Sequence, residues 1–425
     1  MPDHTPPASP TGAPAARAAR DRAAAARAAM VARLEEAGDL RPGPVRDALL
    51  ALPREVLMPQ AYVRRSAPEE TPPRWALLDW SAAADRPELL DVLYDGRSVL
   101  IQHGGEPLLG RKRGVRSGGA ITSMASVTGT TARLLQQLDL RPGQRVLDIG
   151  TGAGVTAAVA CLLCGDTGVV TLDRDAHLTA AARARLADLG HRPVAVTGDG
   201  EAGWPGRAPY DRILVSFAVP RVPGAWLEQL APEGVALATV GTSSPSWPGL
   251  ATVTRTPDGR TEAELRAVEF GHRAGHGLER VLLDAGLRAR IAAGNGRTAY
   301  SRLAPPPDVA RGMWLALDHL HPGLVRDFGA EHLGIGAPAC GSWVRVRPDG
   351  GGVWAVTSSG PRDIWEEIQG VAARWRAAGQ PAAYRLEFGP GGEQWASAGR
   401  GRGALSWQLT DQRPKGPRTG DGETR

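Results

Sequence analysis

The ten residues from Arg145 to Gly154 constrain the fold of this chain more than any other segment. They read Arg-Val-Leu-Asp-Ile-Gly-Thr-Gly-Ala-Gly, an apolar strand that runs into three glycines on alternate positions. Because glycine has no Cβ, such a turn lets the backbone bend tightly and come close to a ligand. The apolar residues 155–163 follow and predict a helix. This order of strand, glycine turn and helix is typical of the first unit of a Rossmann-like sheet.

The charge beside the turn indicates what kind of ligand it holds. Asp148 stands two residues before the first glycine, and the glycine spacing is GxGxG rather than the GxGxxG of dinucleotide-binding proteins. A carboxylate there repels a diphosphate but attracts the positively charged amino and sulfonium groups of S-adenosylmethionine (SAM). The segment therefore predicts a SAM site, and its candidate cofactor-binding residues are Asp148, Gly150, Thr151, Gly152 and Gly154.

Further carboxylates follow at the ends of later predicted strands. A Rossmann-like sheet needs an acidic residue about 20 positions after the turn to hold ribose hydroxyls, and the run 168–173 ends in Asp173. The apolar run 193–197 leads into Asp199 and Gly200, where the carboxylate can accept a hydrogen bond from an adenine amino group. Any single aspartate of this kind is often a helix cap or a solvated loop residue. Their joint placement predicts an α/β fold, a Rossmann-like class I SAM-dependent methyltransferase domain.

Three further stretches resemble the protein-L-isoaspartate O-methyltransferases. Residues 45–59, with Tyr62 shortly after, are similar to the amino-terminal helix and Pro-Arg signature of that family. Residues 93–126 and 198–241 are similar to it as well, the second of these most specifically. The resemblance covers residues 30–270. It implies SAM-dependent methylation of the side-chain carboxyl group of an aspartyl or isoaspartyl residue in a peptide or protein, leading through a succinimide.

The same resemblance implies a hydroxyl group that orients the acceptor carboxylate by hydrogen bonding. In this family the hydroxyl belongs to a serine that is followed two residues later by a proline. Counting back from Asp148 without gaps places the serine at Ser126, although Thr128 stands where the proline is expected. A short insertion would shift the position to Ser123 or Thr122. Ser126 and Ser123 are therefore the candidate catalytic residues, with Thr122 as a further alternative.

The chain continues well beyond the methyltransferase-like region, to residue 425. In this respect it resembles an elongated subgroup of the family that tailors ribosomally made peptides of the lanthipeptide and graspetide type. That resemblance implies a precursor peptide as the substrate, whereas the rest of the family implies the repair of damaged proteins. Two other hypotheses stay open: a small-molecule O- or N-methyltransferase, and a non-enzymatic peptide-binding protein.

Composition argues against several other classes of protein. The net charge of +5 comes mostly from dispersed arginines, without the basic stripe and interleaved aromatics that indicate nucleic-acid binding. No apolar run approaches the ~20 residues of a membrane span. The basic residues 111–116 form either a solvated loop or a surface that steers an acidic peptide. The sequence leaves the oligomeric state open.

The cysteines and histidines carry little signal of their own. Three cysteines indicate a reducing cytoplasm rather than a disulfide scaffold. Cys161 and Cys164 have CxxC spacing, but they lie in an apolar run, which predicts core packing. His319, His321 and His332 lack further ligands at metal-binding spacing, so no metal site is predicted.

Four segments are predicted along the chain. The methyltransferase domain closes with a hairpin of residues 250–255 and 262–270, and a smaller carboxy-terminal α+β domain follows. The tryptophans of this second domain either fill its core or form a platform that grips a peptide. The predicted segments are an Ala/Arg-rich amino terminus (1–27, loose up to 14 and helical from 17), the methyltransferase domain (28–270), the accessory domain (271–410) and a flexible tail (411–425).

Overall fold

The chain forms two compact units, Met1–Arg212 and Ile213–Arg425. The computed structural model describes residues 12–67, 70–242, 246–268, 285–327 and 332–410. The predicted domain boundary at residue 270 lies outside the described residues, and so do the predicted tail 411–425 and residues 1–11 of the stretch 1–14 that was predicted to be loose. Residues 12–14 belong to the first helix, so the prediction of a loose stretch was wrong for them. The division between residues 28–270 and 271–410 therefore stays a prediction.

The first unit opens with helices that bury one side. The predicted Ala/Arg-rich helix is present as α1 (Gly12–Glu36), which buries Met30, Val31 and Leu34. Alanine and arginine are strong helix formers, so this segment is helical in spite of its polar composition. Three shorter helices follow, α2 (Pro44–Ala51), α3 (Arg54–Leu57) and α4 (Arg86–Tyr94).

A five-stranded antiparallel sheet, which the sequence analysis did not anticipate, lies before the glycine turn in the chain. Its strands are β1 (Gln60–Arg64), β2 (Arg74–Asp79), β3 (Val99–His103), β4 (Gly114–Ser117) and β5 (Ile121–Ala125). They are arranged in the order β4-β2-β1-β3-β5. The candidate hydroxyls of Thr122 and Ser123 therefore belong to an edge strand, whereas Ser126 lies in the short connection that follows it.

The remainder of the first unit confirms the predicted Rossmann-like order. The elements are α5 (Thr128–Leu138), β6 (Val146–Ile149), α6 (Val155–Cys164), β7 (Val169–Asp173), α7 (Ala176–Asp188) and β8 (Val194–Thr197). Strand β7 pairs in parallel with both β6 and β8. Because parallel strands end at a common edge, the glycine turn after β6 and Asp173 at the end of β7 come together.

In the described residues of the second unit, two sheets and four α-helices are present. Its helices are α8 (Gly224–Gln229), α9 (Ala285–Ala293), α10 (Arg311–Leu320) and α11 (Ile364–Ala377). Its strands are β9 (Tyr210–Val219, which begins in the first unit), β10 (Leu230–Val240), β11 (Gly249–Arg255), β12 (Thr261–Ala267), β13 (Arg297–Ser301), β14 (Val325–Arg326), β15 (Leu333–Ala337), β16 (Ser342–Gly350), β17 (Val353–Ser359), β18 (Ala383–Phe388), β19 (Gln394–Ala398) and β20 (Leu405–Gln408). Within the described part of the chain, none of the helices is both long enough and apolar enough to cross a bilayer.

The strand orders of the second unit differ from the predicted grouping at one point. One sheet runs β9-β10-β11-β12-β18-β19-β20, and the other runs β13-β17-β16-β15-β14. The predicted closing hairpin of the methyltransferase domain is present as β11–β12, and β16–β17 and β18–β19 form two further hairpins. However, β18, which falls in the predicted accessory domain, pairs with β12, which falls in the predicted methyltransferase domain. The free edge of β12 needs a partner for its backbone groups, and β18 supplies it.

The tryptophans of the carboxy-terminal region do not share one environment. Trp343 is buried, with 3% of its surface exposed, as the core interpretation expects. Trp395 is 45% exposed, and Trp354, Trp365 and Trp375 are half-buried. Neither the core interpretation nor the platform interpretation therefore covers all five side chains.

Two helical glycines of the second unit allow a matched test of the packing. We expect Gly312→Ala in α10 to lower the free energy of unfolding by about 1–3 kcal/mol, because its Cβ would lie 2.0 Å from the Pro381 carbonyl oxygen. Gly370→Ala in α11 should raise that free energy by about 1 kcal/mol, since the added methyl group meets nothing within 4 Å. Chemical denaturation measures both changes. Effects of the same sign would contradict the packing of α10 against residue 381.

Candidate active site

The glycine turn between β6 and α6 has the backbone that its sequence predicts. Gly150, Gly152 and Gly154 have φ angles of 96°, 50° and 82°, a region that residues with a Cβ rarely adopt. The Gly150 N–H donates to the Leu172 carbonyl oxygen at 2.7 Å, and the Gly154 N–H donates to the Thr151 carbonyl oxygen at 2.7 Å. These bonds close the turn and attach it to the end of β7.

Asp173 holds the middle of this turn. Its Oδ2 atom accepts a hydrogen bond from the Gly152 N–H at 3.0 Å, and its Oδ1 atom accepts one from the Asp175 N–H at 3.0 Å. Burial raises the pKa of Asp173, and the two backbone donors oppose that effect. The carboxylate thus lies against the glycine turn, which is where a ribose-binding acidic group is expected in such a sheet.

Asp148 is buried behind a set of threonine hydroxyls. Only 1% of its surface is exposed, and its two carboxylate oxygens accept hydrogen bonds from Thr156 and Thr171, each at 2.7 Å. The Thr171 hydroxyl also bonds the Thr151 hydroxyl at 2.7 Å. Burial raises the pKa of Asp148 to about 7, although both threonine bonds lower it. With both oxygens engaged, Asp148 supports the turn from within and can act on a ligand through its charge.

Asp199 follows the end of β8 at the same edge of the sheet. The Gly198 N–H donates to the Asp173 carbonyl oxygen at 2.9 Å, which places the two strand ends side by side. The exposed Asp199 side chain accepts a hydrogen bond from the Glu201 N–H at 3.0 Å and caps the short helical turn that begins at Gly200. The structure therefore brings the predicted cofactor residues to one edge, and it gives Asp199 a capping role as well.

Among the hydroxyl groups that are candidates for orienting the acceptor, that of Ser123 lies beside the glycine turn. Its Oγ atom lies 3.9 Å from the position that a Cβ on Gly152 would occupy, and the Met124 carbonyl oxygen lies 3.8 Å from that position. Glycine at position 152 therefore leaves open a space that β5 borders.

Thr122 and Ser126 have other surroundings. The exposed Thr122 hydroxyl donates to the Gln102 Oε1 atom at 2.7 Å and accepts from the Gly105 N–H at 3.0 Å. Ser126 is half-buried in the connection between β5 and α5. These positions leave Thr122 engaged within the protein and Ser126 outside the strand that meets the turn.

Thr128, which replaces the expected proline, has a structural role of its own. Its N–H donates to the Gly96 carbonyl oxygen at 2.9 Å, and its hydroxyl accepts a hydrogen bond from the buried Arg54 guanidinium at 2.8 Å. Proline has neither an N–H nor a hydroxyl, so it could form neither bond. At the position where the family pattern has proline, threonine thus forms hydrogen bonds to residues 54 and 96 that proline could not form.

Four side chains that support the site were missed by the sequence analysis. Gln102 and Asp175 join β3 to the start of α7 through a hydrogen bond of 2.7 Å, while Thr156 and Thr171 hold Asp148. Two signals were available in the sequence. Thr171 is a polar residue in the middle of β7 with apolar residues on both sides, and Asp175 stands at the N-cap position of a helix.

The basic residues 111–116 are partly neutralised. Arg111 and Arg116 both pair with Glu106, at 2.9 Å and 3.4 Å, and Arg113 pairs with Asp85 at 2.5 Å. Ion pairs of this kind weaken the field that such a cluster projects into solvent. The interpretation of this loop as a surface that steers an acidic peptide gains no support from the described contacts.

One group of potential metal ligands lies at the other end of the strands. The ligand atoms of Cys161, Asp166 and His191 lie within 4.8 Å of one another. The Asp166 carboxylate accepts hydrogen bonds from the His191 ring at 3.0 Å and from the Arg192 N–H at 2.5 Å. Burial raises the pKa of the Cys161 thiol, which keeps it protonated. These internal hydrogen bonds account for the cluster without an ion.

Comparison with known proteins gives the family. The family model for protein-L-isoaspartate(D-aspartate) O-methyltransferase matches residues 117–268, a range that includes β5, the glycine turn and Asp173. The chain is 40% identical over 153 residues to the protein-L-isoaspartate O-methyltransferase of Dinoroseobacter shibae, and the alignment covers 36% of this chain and 68% of that protein. The chain belongs to the protein-L-isoaspartate O-methyltransferase family.

Other relatives share the same region. A protein-L-isoaspartate O-methyltransferase of Aeropyrum pernix is 36% identical over 186 residues, which are 43% of this chain and 64% of that protein, just under two thirds of its length. A solved structure of a protein-L-isoaspartate O-methyltransferase aligns with 90% of this chain and 98% of its own, at 19% identity and a TM-score of 0.44. The family predicted from the sequence and its class I fold are confirmed, while the peptide-tailoring subgroup stays a prediction.

We expect Asp148→Asn to remove a pH dependence from the stability of the protein. Because the pKa of Asp148 is raised on folding, the folded protein keeps a proton that the unfolded chain has lost at intermediate pH. The stability of the wild type relative to the variant should therefore fall by about 1.4 kcal/mol per pH unit from pH 5 to about 7, and then level off. Urea unfolding at pH 5, 6, 7 and 8 measures the difference.

Asp79→Asn serves as the control for this experiment. Burial acts to raise the pKa of Asp79, but hydrogen bonds from Ser81 and Gln60 outweigh burial and lower the pKa. The Asp79 carboxyl group is therefore ionised above pH 5 in both the folded and the unfolded state, so the difference from the wild type should be constant from pH 5 to 8. A constant difference for Asp148→Asn as well would show that its carboxyl group titrates normally in the folded protein.

Proposed function

We propose that this protein is a SAM-dependent carboxyl O-methyltransferase whose acceptor is an aspartyl or isoaspartyl side chain in a peptide or protein. The observation that carries the proposal is the position of Ser123 beside the glycine turn. Its hydroxyl lies beside the open space at Gly152, and the Gly152 N–H is held by Asp173. Membership of the protein-L-isoaspartate O-methyltransferase family supports the same reaction.

The edge of the parallel sheet fits SAM in both space and charge. A side chain at position 152 would fill the space in front of β5, and glycine leaves it open. Asp173 would accept hydrogen bonds from the ribose hydroxyls, and Asp199 would accept one from the adenine amino group. The charges of Asp148 and Asp173 favour a cationic ligand. When bound, SAM supplies a methyl group on a positively charged sulfur atom.

The residues of the protein have the task of placing the acceptor. A side-chain carboxylate is already ionised at neutral pH, so the reaction needs no strong base. The attacking oxygen must lie about 3–3.5 Å from the methyl carbon and in line with the bond that breaks. The Ser123 hydroxyl would donate a hydrogen bond to the other carboxylate oxygen, which orients the acceptor and replaces a water molecule without taking a proton.

The methyl ester that forms is more reactive than the carboxylate. The backbone nitrogen of the following residue in the substrate attacks the ester carbonyl carbon, a C–N bond forms, and methanol leaves with the amide proton. The product is a succinimide, which water opens to an aspartyl or isoaspartyl residue. No residue of this protein needs to act in these later steps.

We further propose that the acceptor belongs to a ribosomally made precursor peptide, with the repair of isoaspartyl damage in proteins as the alternative. The family model ends at residue 268, and the sheet of β13 to β17 lies beyond that match. Its edge strand β13 carries Tyr300, which is 67% exposed, and Leu303 nearby is 54% exposed. An exposed strand edge with apolar side chains suits an extended peptide segment.

A reducing compartment such as the cytoplasm suits the cysteines of the chain. Cys161 and Cys164 are buried and form no disulfide, and Cys340 is exposed and also free. Free thiols of this kind persist where cellular reductants keep them reduced. We therefore propose the cytoplasm as the place of action.

Two aspartates that flank the same strand test the cofactor site. We expect Asp173→Ala to weaken the binding of S-adenosylhomocysteine about ten-fold or more, because hydrogen bonds to a charged group are lost. Asp166→Ala, before the start of β7, should leave that affinity unchanged. Isothermal titration calorimetry with both folded variants measures the two dissociation constants. Equal losses of affinity, or no binding to the wild type, would remove the cofactor assignment.

The reaction itself is tested with SAM and two sets of peptides. One set carries isoaspartyl residues, and the other carries aspartyl residues in cyclised precursor peptides. We expect a mass gain of one methyl group, followed by loss of methanol as the succinimide forms, and the set that reacts faster identifies the substrate class. Transfer to no peptide carboxyl group would end the proposal, and transfer to a small metabolite alone would favour the small-molecule alternative.

The same assay decides between the two candidate serines. We expect Ser123→Ala to lower kcat/KM for the acceptor about 10- to 100-fold, since a hydrogen bond to a charged carboxylate is lost. Ser126→Ala should have a smaller effect, because Ser126 lies outside the strand that meets the turn. A larger loss of kcat/KM for Ser126→Ala than for Ser123→Ala would instead place the acceptor beside the connection between β5 and α5.

A further inference from the structure

The side-chain amide of Gln102 is buried between β5, which carries Ser123, and the edge of the parallel sheet that is proposed to bind SAM. It lies in β3 and is only 1% exposed. Its Nε2 atom donates to the Asp175 Oδ2 atom at 2.7 Å and to the Glu106 carbonyl oxygen at 3.1 Å. Its Oε1 atom accepts from the Thr122 hydroxyl at 2.7 Å. Both hydrogens and the oxygen of this one amide are therefore engaged.

These partners allow only one orientation of the amide. The Asp175 carboxylate and the Glu106 carbonyl group can only accept hydrogen bonds, so both require the NH₂ group. The Thr122 hydroxyl accepts from the Gly105 N–H at 3.0 Å and donates its own hydrogen to Gln102. A buried group with all its hydrogen bonds made is fixed in place, because any rotation leaves polar atoms without partners.

Each end of this bridge adjoins a residue of the proposed site. The Asp175 N–H donates to the Asp173 carboxylate at 3.0 Å, and Asp173 in turn holds the Gly152 N–H. At the other end, Thr122 is the direct neighbour of Ser123 in β5. The amide of Gln102 thus connects the carboxylate that holds the glycine turn to the strand that carries Ser123, whose hydroxyl is proposed to orient the acceptor.

The pairing of the strands points to the same role independently. Gln102 lies opposite Ser123 in the β3–β5 pair, and the register shifts on both sides of this one pair. Ile101 is the extra residue on β3, and Thr122 is the extra residue on β5. Such bulges redirect side chains and are common beside active sites. Here they turn Gln102 toward α7 at the point where its strand partner is Ser123.

We propose that Gln102 is a positioning residue that sets β5, and with it Ser123, against the glycine turn. The proposal rests on the methyl transfer proposed above, and it concerns the distance and angle between acceptor and methyl donor rather than the chemistry. Losing the bridge would let β5 shift while the turn and Asp173 keep their own hydrogen bonds. The acceptor would then be misplaced, and the cofactor would still bind.

Gln102→Glu and Gln102→Met test this role. The first keeps the shape but places a carboxylate against Asp175, and the second keeps the length but forms no hydrogen bond. We expect both to lower kcat/KM for the acceptor peptide about 10- to 100-fold, the scale of a small misplacement of reacting groups. The dissociation constant of S-adenosylhomocysteine should stay within about two-fold of the wild-type value.

Gln136→Met provides the matched control. Gln136 also uses both ends of its amide, bonding the Arg41 N–H at 2.8 Å and the Asp39 carbonyl oxygen at 2.8 Å, but none of its partners lies at the site. This variant should lose thermal stability and keep both kcat and KM for the peptide. A change in stability alone therefore identifies a structural glutamine, and a change in kcat or acceptor KM identifies a positioning one.

The outcomes separate the two proposals. If the wild type methylates no peptide, the proposed function fails before Gln102 is tested. If the wild type is active, two results overturn the positioning role. In the first, the Gln102 variants lose thermal stability but keep kcat and KM, as expected for Gln136→Met. In the second, the Gln102 variants lose affinity for the acceptor peptide and for S-adenosylhomocysteine to the same extent. Should the Gln102 variants fail to fold, Thr122→Val breaks the bridge from its exposed end. For Thr122→Val we likewise expect a lower kcat/KM for the acceptor peptide and an unchanged dissociation constant for S-adenosylhomocysteine.

Discussion

The hydrogen bond from the Gly152 N–H to the Asp173 carboxylate is the interaction on which the rest of the site depends. It joins the turn after β6 to the end of β7, at the edge where the parallel strands finish. The bond belongs to a left-handed backbone at Gly152, with a φ of 50°, which glycine adopts without strain. Glycine at this position also leaves the space that Ser123 borders. Glycine at position 152 thus allows the turn to form, lets its N–H bond Asp173, and leaves room beside β5.

A second property of the site is an excess of negative charge. Asp148 is buried and Asp173 is half-buried, and the loss of solvent raises the pKa of each. The charge of Asp173 raises the pKa of Asp148 further, and none of the arginines and lysines in the described part of the chain pairs with Asp148. Such an arrangement costs stability in the empty protein, because a buried charge needs compensation. A cationic ligand supplies that compensation, so the charges that destabilise the empty site favour SAM.

The carboxy-terminal strands are integrated into the second unit rather than appended to it. Strand β18 continues the sheet from β12, and the Tyr384 hydroxyl on β18 donates to the buried Gly312 carbonyl oxygen at 2.7 Å. The Gln394 amide bonds both the N–H and the carbonyl group of Val222, at 3.0 Å and 2.6 Å. Segments more than 70 residues apart in the chain are fixed to each other by these bonds. Truncation before β18 would therefore leave the edge of β12 unpaired.

The sequence by itself determined the strand, glycine turn and helix of the parallel sheet, the aspartates at the strand ends, and the family. These features follow from local rules, since apolar periodicity, glycine conformation and strand ends are properties of neighbouring residues. Only the tertiary structure decided that Asp148 is enclosed by Thr156 and Thr171, that Ser123 faces Gly152, and that β18 pairs with β12. Apart from the bond between Asp148 and Thr156, which are eight residues apart, these contacts join distant segments. The position of Ser123 depends on strand register and on the bulges around Gln102, where a shift of one residue turns a side chain to the opposite face of the sheet.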